Sequence, residues 1–387
     1  MSSHTNAVHQ LVSVLRLDDA VGNIVLELQR RLRSWGYEST IFARTGEQSR
    51  SLAMPPEKYP QVADSRSVLL VHHSFESRLV PLIRRAPGRK AIVYYDITPA
   101  HFFERFDNQM AASCTAGRNE LVELAPVCER AYALSRFSAE ELSAAGFENV
   151  SILPLPLMPP ALETAPDSAW ASRFKDGCFN VLFVGRAVPN KRIEDVLSVF
   201  AAFQRLYQPN SRLLIAGEFP LESAYVRWLN AIRARLRTQR VHFLGRLRTS
   251  QLSACYQVSH AYLSMSQHEG LGLPLLEAMH RQIPVVAYGA AAVPETMGGA
   301  GLVTISQDPL EVAKLLAVLD RNPALRKRIV DRQKLRVAAI LPDPEASALH
   351  RALEPLLDAS APRTKGLHLA REATLGDSKQ GGHQRAS

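Results

Sequence analysis

The sequence predicts an α/β protein with two doubly wound, parallel-sheet domains that face each other across a cleft. Short apolar runs rich in Val, Ile or Tyr alternate with segments of helical spacing along most of the chain, which is typical of parallel sheets covered by helices on both faces. Residues 153–166 interrupt this alternation with five prolines, which fit neither a continuing helix nor a central strand. Because 387 residues exceed the usual size of one core, we expect two domains joined near this break.

The expected boundaries follow from the same patterns. We expect a first domain at residues 1–157, a linker at 158–172 and a second domain at 173–342. A last helix is expected at 343–359. Residues 360–387 are polar and lack a sustained hydrophobic period, so they are expected to form a disordered tail.

Each element of the first domain is predicted from a local pattern. The run AVHQLVSVLRL indicates a buried strand. Apolar residues then recur at helical spacing from Gly22 to Trp35, and Gly36 ends that helix. Further buried strands are predicted at STIFAR, SVLLVHH, KAIVYYDI, ERAYALS and NVSILPL.

The second domain repeats the alternation. Its strands are predicted at CFNVLFVG, SRLLIAGE, VHFLG, HAYLSMS and IPVVAYG. The segment NKRIEDVLSVFAAFQRLY has helical spacing, and later helices are expected to begin near Leu221, Ser250 and Pro274. In such sheets ligands bind beyond the carboxyl ends of the strands, and two facing domains form a cleft for a small molecule.

Composition argues against several classes of protein. No apolar run approaches the ~18–20 residues of a membrane span, and the first twenty residues lack the pattern of a secretory signal. The four cysteines are scattered without a CxxC pair, which predicts reduced thiols rather than a zinc site or disulfides. We therefore expect a cytoplasmic protein.

The net charge of +9 lies in the second part of the chain. Residues 1–157 carry 17 Lys and Arg against 17 Asp and Glu, whereas residues 173–248 carry 14 against 5. A basic surface can face nucleic acid, an anionic membrane or a phosphorylated ligand, or it can simply be solvated. Residues 225–240 place arginines beside an apolar stripe, as in an ordinary helix packed on a sheet, and the alternative is peripheral docking on the inner face of the cytoplasmic membrane. No aromatic and basic stacking pattern indicates nucleic acid.

The stretch HEGLGLPLLEAM, residues 268–279, is the first motif that can carry chemistry. It follows a predicted strand, and Pro274 suits the first turn of a helix. Glycines let a ligand approach the backbone closely, and free N–H groups at a helix start bind anions. Glu269 on the loop and Glu277 about one turn into the helix can point to one cavity, although the helix dipole alone also favours acids near this end.

The stretch FVGRAVPNKRIEDV, residues 183–196, is the second motif. A predicted strand ends at Gly185, and Arg186 and Lys191 flank the short loop that follows. Two cations at a strand end beside a helix N-terminus can bind a diphosphate. A solvated first turn is the alternative, but cations are mildly unfavourable at that end of a helix.

Two further regions of the first domain offer polar groups. In RLDDAVGN, residues 16–23, Gly22 could let the backbone approach a ligand, whereas Asp18 or Asp19 could simply cap the helix. The ends of two later strands carry several side chains that could serve as a base or contact an acceptor. These side chains are His72, His73, Ser74, Tyr95, Asp96 and Thr98.

Together the motifs resemble those of retaining glycosyltransferases of the GT-B fold, in particular glycosyltransferase family 4. EGLGLPLLE resembles the family's E-x7-E signature, FVGRAVPNK its donor-diphosphate motif, and VPETMGGAGLV the usual continuation. The first-domain stretches DDAVGN, HHS, DITPAHFF and SRFSAEEL resemble a bacterial subgroup, including mannosyltransferases, that builds surface polysaccharides. The resemblance implies two Rossmann-like domains and a last helix that returns to the first domain.

The resemblance also implies roles for particular residues. Arg186 and Lys191 would hold the diphosphate of a nucleotide sugar, Glu277 the ribose hydroxyls, and Gly22 would approach the phosphates from across the cleft. Many family members carry a histidine after the fourth strand, where this chain has Tyr95 and Asp96. The transferred sugar would lie against Glu269 and the backbone amides of Gly270, Leu271, Gly272 and Leu273. The candidate catalytic groups are Glu269 and Asp96, and the acceptor-side candidates are His72, His73 and Tyr95.

The implied activity is transfer of a hexose with retention to a glycan or lipid-linked acceptor, with mannose from GDP-mannose as the expected donor. Two cations and a helix N-terminus can stabilise the leaving diphosphate, and no DxD motif stands at a predicted strand end, so neither a cofactor nor a metal is expected. A glycoside hydrolase is one alternative, but its two acids would flank the scissile bond. A basic membrane-binding or nucleic-acid-binding protein without enzymatic activity is the other alternative.

Overall fold

A computed structural model describes residues 7–17, 19–46, 49–156, 158–341 and 345–358. It contains two six-stranded sheets, and every strand pair within them is parallel. The predicted α/β class with two doubly wound domains is therefore confirmed. The predicted tail at 360–387 lies outside the described residues.

The first sheet holds the first six strands of the chain in the order β2-β1-β3-β4-β5-β6. A single-residue bridge at Met54 extends the sheet beyond β2. The strands are β1 Val8–Leu15, β2 Ile41–Thr45, β3 Val68–His73, β4 Arg89–Tyr94, β5 Arg130–Ala133 and β6 Val150–Ile152. The helices are α1 Ala20–Ser34, α2 Tyr59–Val62, α3 Val80–Arg85, α4 Asn108–Leu124 and α5 Arg136–Ala144, and short 3-10 turns lie at Pro56–Lys58 and Ala100–Phe102.

The second sheet has the order β12-β11-β10-β7-β8-β9, so the strand order reverses between β7 and β10. Its strands are β7 Phe179–Val184, β8 Ser211–Ala216, β9 Val241–Gly245, β10 Ala261–Ser264, β11 Val285–Tyr288 and β12 Leu302–Thr304. Its helices are α8 Ile193–Leu206, α9 Ala224–Leu236, α10 Thr249–Val258, α11 Leu273–His280, α12 Val293–Met297, α13 Pro309–Arg321 and α14 Pro323–Ile340. A 3-10 turn at Pro189–Lys191 precedes α8.

Apolar side chains cover both faces of the second sheet, as its continuous apolar strands require. On β7, Val181 and Phe183 join one buried cluster, while Leu182 between them joins the cluster on the opposite face. This alternation follows from the two-residue period of a strand. Parallel strands buried in this way place all their carboxyl ends at one edge of the sheet, where the two second-domain motifs begin.

The segment expected to be a linker contains two short helices that pack on the second domain. They are α6 Pro160–Glu163 and α7 Ser168–Ser172, and Ala161 and Ala171 are buried in a second-domain cluster. The guanidinium of Arg281 donates to the carbonyls of Ala161, Leu162 and Thr164. Prolines begin α6 because the first turn of a helix does not need their N–H groups.

The apolar stripe of α9 faces the core of the second domain. Tyr225 and Leu229 are buried there, and Trp228, Ile232 and Leu236 pack against the same cluster. The apolar stripe predicted in residues 225–240 therefore packs against the core of the second domain. In the part of the chain that the structure describes, no helix is both long and apolar enough to span a bilayer.

The last described helix, α15 Ser347–Leu357, packs on the first domain. Its buried leucines Leu349 and Leu353 share a cluster with Ile24 and Leu28 of α1. Arg130 also donates to the carbonyl of Pro355. The chain thus crosses twice between the domains, and burial of α15 ties its end to the first domain.

The buried face of α15 leads to a stability prediction. Leu353 is 1% exposed, so Leu353→Ala should lower the free energy of unfolding by about 2–4 kcal/mol through lost burial and a cavity. Leu335→Ala on α14 is the matched control, because Leu335 is 76% exposed and should cost less than about 0.5 kcal/mol. Urea unfolding followed by circular dichroism measures both, and equal effects would contradict the packing of α15.

Candidate active site

The two second-domain motifs meet where the strand order reverses. Lys191 lies in the turn after β7 and Glu269 on the loop after β10, and these strands are neighbours in the sheet. The Lys191 Nζ donates to Glu269 Oε2 at 2.6 Å, with only 20% and 12% of the two side chains exposed. Residues 78 positions apart are thereby joined at the edge where such sheets bind ligands.

Asn190 fixes the two loops to each other. Its side-chain amide donates to the carbonyl of His268 at 3.1 Å, and its own carbonyl accepts the N–H of Gln267 at 2.9 Å. Asn190 is 3% exposed. Because these bonds are buried, the cation of Lys191 and the carboxylate of Glu269 are held in place before any ligand arrives.

The helix after the first motif begins later than predicted. The segment predicted to be helical starts at Asn190, whereas Asn190 lies in a 3-10 turn and α8 begins at Ile193, after Arg192 in the left-handed region. Arg192 forms ion pairs with Glu194 and Asp195, so acids in the first turn of α8 balance its charge. Arg186, the other predicted diphosphate ligand, lies exposed on the loop that follows β7.

The glycine turn and α11 carry the remaining donor-side candidates. Gly272 has φ +81°, which favours glycine, and it stands immediately before the helix. Glu277 is buried within α11, where Tyr256 Oη of α10 donates to its Oε2 at 2.5 Å. Burial raises the pKa of Glu277 to about 7, against the lowering effects of Tyr256 and Arg281.

The two domains touch directly at this turn. A side chain at Gly270 would come within 2.6 Å of Asp96 Cβ, so the loop after β10 packs on the first domain through bare backbone. Next to this contact, His268 Nε2 lies 2.7 Å from Asp96 Oδ2 across the cleft. At a third contact, the backbone N–H of Arg136, the first residue of α5, donates to the Glu295 carboxylate of α12, whose two oxygens lie 2.9 and 2.8 Å from the nitrogen.

The acceptor-side candidates lie at the carboxyl ends of β3 and β4. His72 is buried between Tyr95 Oη, 2.7 Å from its Nδ1, and Gln10 Oε1, 2.9 Å from its Nε2. Burial lowers the pKa of His72 to about 3 and raises the pKa of Tyr95. His73 bonds to the carbonyl of Gly117 at 2.8 Å behind the strand. His72 and Tyr95 are thus neutral hydrogen-bonding groups at neutral pH, and His73 is bonded within the core.

Gly22 has a structural reason to be glycine. Its N–H donates to Asp19 Oδ1 at 2.7 Å, which caps α1. A side chain at this position would overlap the carbonyl oxygen of Arg16. This amide is therefore bonded within the loop, and the close backbone packing accounts for Gly22 without a phosphate.

Several residues of the site have no role in the sequence prediction. His268 directly precedes Glu269, and Asn190 directly precedes Lys191, so adjacency to the motifs was the available signal. Tyr256 lies in a helix without a motif, and only the fold brings it to Glu277. Glu295 lies in VPETMGGAGLV, but sequence does not show that it reaches the other domain. Among the described residues, no cluster of three His, Cys, Asp or Glu side chains could hold a metal ion.

Comparison with known proteins agrees with this geometry. Residues 166–336 match the family described as "Glycosyl transferases group 1". Over 136 residues the chain is 29% identical to the O-antigen chain mannosyltransferase B of Escherichia coli. This match covers 35% of the chain and 34% of that protein, about a third of its length.

Solved structures show the fold of the whole chain. Sucrose-phosphate synthase from Thermosynechococcus elongatus superposes with a TM-score of 0.72 at 18% identity, over 92% of this chain and all of that chain. Anabaena HepE, solved in complex with UDP and glucose, gives 0.68 at 16% identity, over 90% and 99% of the two chains. The chain has the GT-B fold, and the match of residues 166–336 to group 1 glycosyl transferases agrees with the sequence resemblance.

The burial of Glu277 predicts that the stability difference between Glu277→Gln and the parent protein depends on pH. Its folded pKa lies above its unfolded value, so the folded state binds the proton more tightly and loses stability as pH rises from about 4.5 to about 7. Glu277→Gln removes this loss and keeps an oxygen that accepts from Tyr256. The variant should match the parent near pH 4.5 and exceed it by up to about 3 kcal/mol near pH 8.

Chemical denaturation at a series of pH values measures this difference. Glu311→Gln is a suitable control, because Glu311 is exposed in the first turn of α13 and should give a difference with little dependence on pH. A constant difference between Glu277→Gln and the parent over this pH range would contradict the buried carboxyl.

Proposed function

We propose that the protein is a retaining hexosyltransferase that takes a sugar from a nucleotide donor and transfers it to a glycan or lipid-linked acceptor in polysaccharide assembly. The observation that carries this proposal is the Lys191–Glu269 pair at the strand-order reversal of the second sheet, within the residues that match group 1 glycosyl transferases. A cation and a carboxylate held side by side can bind two parts of one nucleotide sugar. The cation binds the diphosphate and the carboxylate binds the sugar hydroxyls.

The proposed chemistry uses charges that the fold already positions. Lys191, together with exposed Arg186, stabilises the negative charge that grows on the leaving diphosphate, and low exposure around Lys191 strengthens this effect. Glu277 accepts hydrogen bonds from the ribose hydroxyls while Tyr256 holds its other side. The site is proposed to work without a metal ion, with retention of the anomeric configuration.

The proposed donor is GDP-mannose. The similarity to a mannosyltransferase of O-antigen chains supports mannose, whereas a structural neighbour binds UDP and glucose, so the donor screen must include both. A thermal-shift series with UDP-, GDP- and TDP-sugars identifies the donor, because a ligand that binds only the folded state raises the melting temperature.

A Lys191 variant tests the site itself. Lys191→Ala should weaken binding of the selected donor by about 10- to 100-fold, the effect of a lost charge-assisted hydrogen bond, and should also lower kcat because Lys191 faces the leaving group. Lys314→Ala on α13 removes an exposed lysine far along the chain and serves as the control. Donor affinity equal to the parent in Lys191→Ala, measured by calorimetry, would overturn the site assignment.

Product analysis distinguishes the proposed transferase from a glycoside hydrolase. Each of the two motif carboxylates already has a partner within the second domain, Lys191 for Glu269 and Tyr256 for Glu277. This arrangement does not place two free acids on opposite sides of a glycosidic bond. Release of free sugar from an aryl glycoside, with no nucleotide sugar present, would support the hydrolase instead.

We also propose peripheral contact with the anionic inner face of the cytoplasmic membrane. Residues 205–248 contain nine arginines and two glutamates without lysine or aspartate, and Arg233, Arg235 and Arg237 are exposed at the end of α9. Because the apolar stripe of α9 is packed in the core, the contact must be electrostatic and sensitive to salt.

Liposome flotation with phosphatidylserine vesicles tests this contact. Changing Arg233, Arg235 and Arg237 together to Glu should abolish flotation at low salt. The matched control changes three exposed cations of α14, Arg328, Arg332 and Lys334, to Glu and should retain more binding. Equal loss in both triple variants would indicate a net-charge effect and would contradict a docking surface at α9.

A further inference from the structure

A buried tyrosine of α9 bonds to the start of α8, close to Lys191. Tyr225 is 1% exposed. The N–H of Ile193 donates to Tyr225 Oη at 3.0 Å, and Tyr225 Oη donates to Glu194 Oε2 at 2.5 Å. The hydroxyl thus satisfies one of the N–H groups that the start of a helix leaves free. Ile193 and Glu194 lie two and three residues after Lys191, so Tyr225 fixes the chain where the Lys191 turn ends.

The same hydroxyl supports a strained residue next to Lys191. Arg192 has φ +50°, a region that residues with a side chain seldom occupy. Its Nη1 lies 3.0 Å from Glu194 Oε1, while Glu194 Oε2 accepts from Tyr225. The Glu194 carboxylate therefore links the Tyr225 hydroxyl to the left-handed residue. Strained backbone persists where surrounding bonds fix it, so this chain of bonds sets the direction of the backbone at Lys191.

The ring of Tyr225 is also in contact with the first domain. The ring centroid of Phe106 lies 5.2 Å from that of Tyr225 and 5.3 Å from that of Trp228. The N–H of Phe106 donates to the carbonyl of Phe103 at 2.8 Å, and Phe103 is buried in a first-domain cluster. Phe106 is thus held by the backbone of the first domain, while its ring packs against the core of the second.

The turn that carries Lys191 makes the reciprocal contact. Val188 is the N-cap of this 3-10 turn, and its carbonyl accepts the N–H of Lys191 at 3.0 Å. The side chain of Val188 packs against the first-domain cluster that contains Phe103. The domains therefore exchange apolar side chains on both sides of Lys191. Val188 contacts the first domain before Lys191, and Phe106 acts after it through Tyr225.

We propose that Tyr225 is a positioning residue for Lys191 and that the first domain acts on the same turn through Phe106 and Val188. The proposal rests on the proposed function and deepens it, because it makes the diphosphate site of the second domain depend on contact with the first. A hydrogen bond from Lys191 to a diphosphate weakens steeply when its geometry is lost. Residues that do not touch the donor therefore control its affinity.

Calorimetry with UDP and GDP on the full-length protein tests the role of the hydroxyl. Tyr225→Phe keeps the ring against Phe106 and removes Oη. The Kd of the nucleoside diphosphate that the parent binds should rise about 2- to 30-fold, the range for residues that act on a site without touching its ligand. Tyr59→Phe is the matched control, because Tyr59 is 0% exposed and its Oη donates to the carbonyl of Pro87 within the first domain. It should leave the Kd unchanged.

A second variant tests the contribution of the first domain. Phe106→Ala leaves every hydrogen bond of Tyr225 in place and should raise the same Kd, again by about 2- to 30-fold. Tyr207→Ala is the matched control, because Tyr207 packs against the same second-domain cluster but at the opposite end of α8, and it should leave the Kd unchanged. Phe106→Leu, which should raise the Kd in the same direction, keeps the test valid should Phe106→Ala unfold.

The Lys191→Ala background separates positioning from a general structural defect. A residue that acts only through Lys191 has nothing left to position in this background. Neither Tyr225→Phe nor Phe106→Ala should therefore weaken nucleotide binding further when combined with Lys191→Ala. Independent structural defects would instead add to the loss in full.

The outcomes distinguish this proposal from the proposed function. A parental Kd in Tyr225→Phe overturns the positioning role, and a parental Kd in Phe106→Ala overturns the action of the first domain. A full additional loss in the Lys191→Ala background overturns whichever role the added variant tests. If the unaltered protein binds neither UDP nor GDP, or if Lys191→Ala binds as the parent does, the proposed site itself fails and this proposal with it.

Discussion

The ion pair between Lys191 and Glu269 is the interaction on which the candidate site depends. It joins two loops that are 78 residues apart in sequence but leave neighbouring strands of one sheet. Parallel strands deliver both loops to the same edge, and the buried bonds of Asn190 keep them in register. A ligand that binds here meets a cation and a carboxylate already in position, so it does not have to order them.

The position of the first domain depends on contacts made by the same loop. Gly270 has no side chain that would keep Asp96 away, and Glu295 accepts the N–H of Arg136 at the start of α5 in the opposite domain. Apolar contacts accompany these polar ones. Phe106 of the first domain packs against Tyr225 and Trp228, and Leu271 and Leu273 pack against a first-domain cluster.

The fold was more predictable from sequence than the site. Apolar runs predicted the strands of both sheets except the three-residue β12, because burial on two faces leaves continuous apolar sequence. Glu269 and Lys191 were predicted from local motifs, but their direct bond was not, since it depends on strand order. His268 and Tyr256 were not predicted for the same reason, because each contacts a residue that only tertiary packing brings near. Gly22 was predicted to approach a ligand; in the structure its N–H donates to Asp19, the N-cap of α1, and the predicted ligand contact stays a prediction.

The different partners of the two motif glutamates argue for different tasks. Glu269 lies on the loop after β10, and the cation of Lys191 balances its charge. Glu277 is enclosed and its pKa is raised towards neutrality, so ligand hydroxyls that donate to it also favour its charged form. Tyr256 restricts the direction from which those hydroxyls can come. A pair of acid and base groups would need both carboxyls to face one bond, whereas two carboxyls with separate partners suit two parts of the proposed donor.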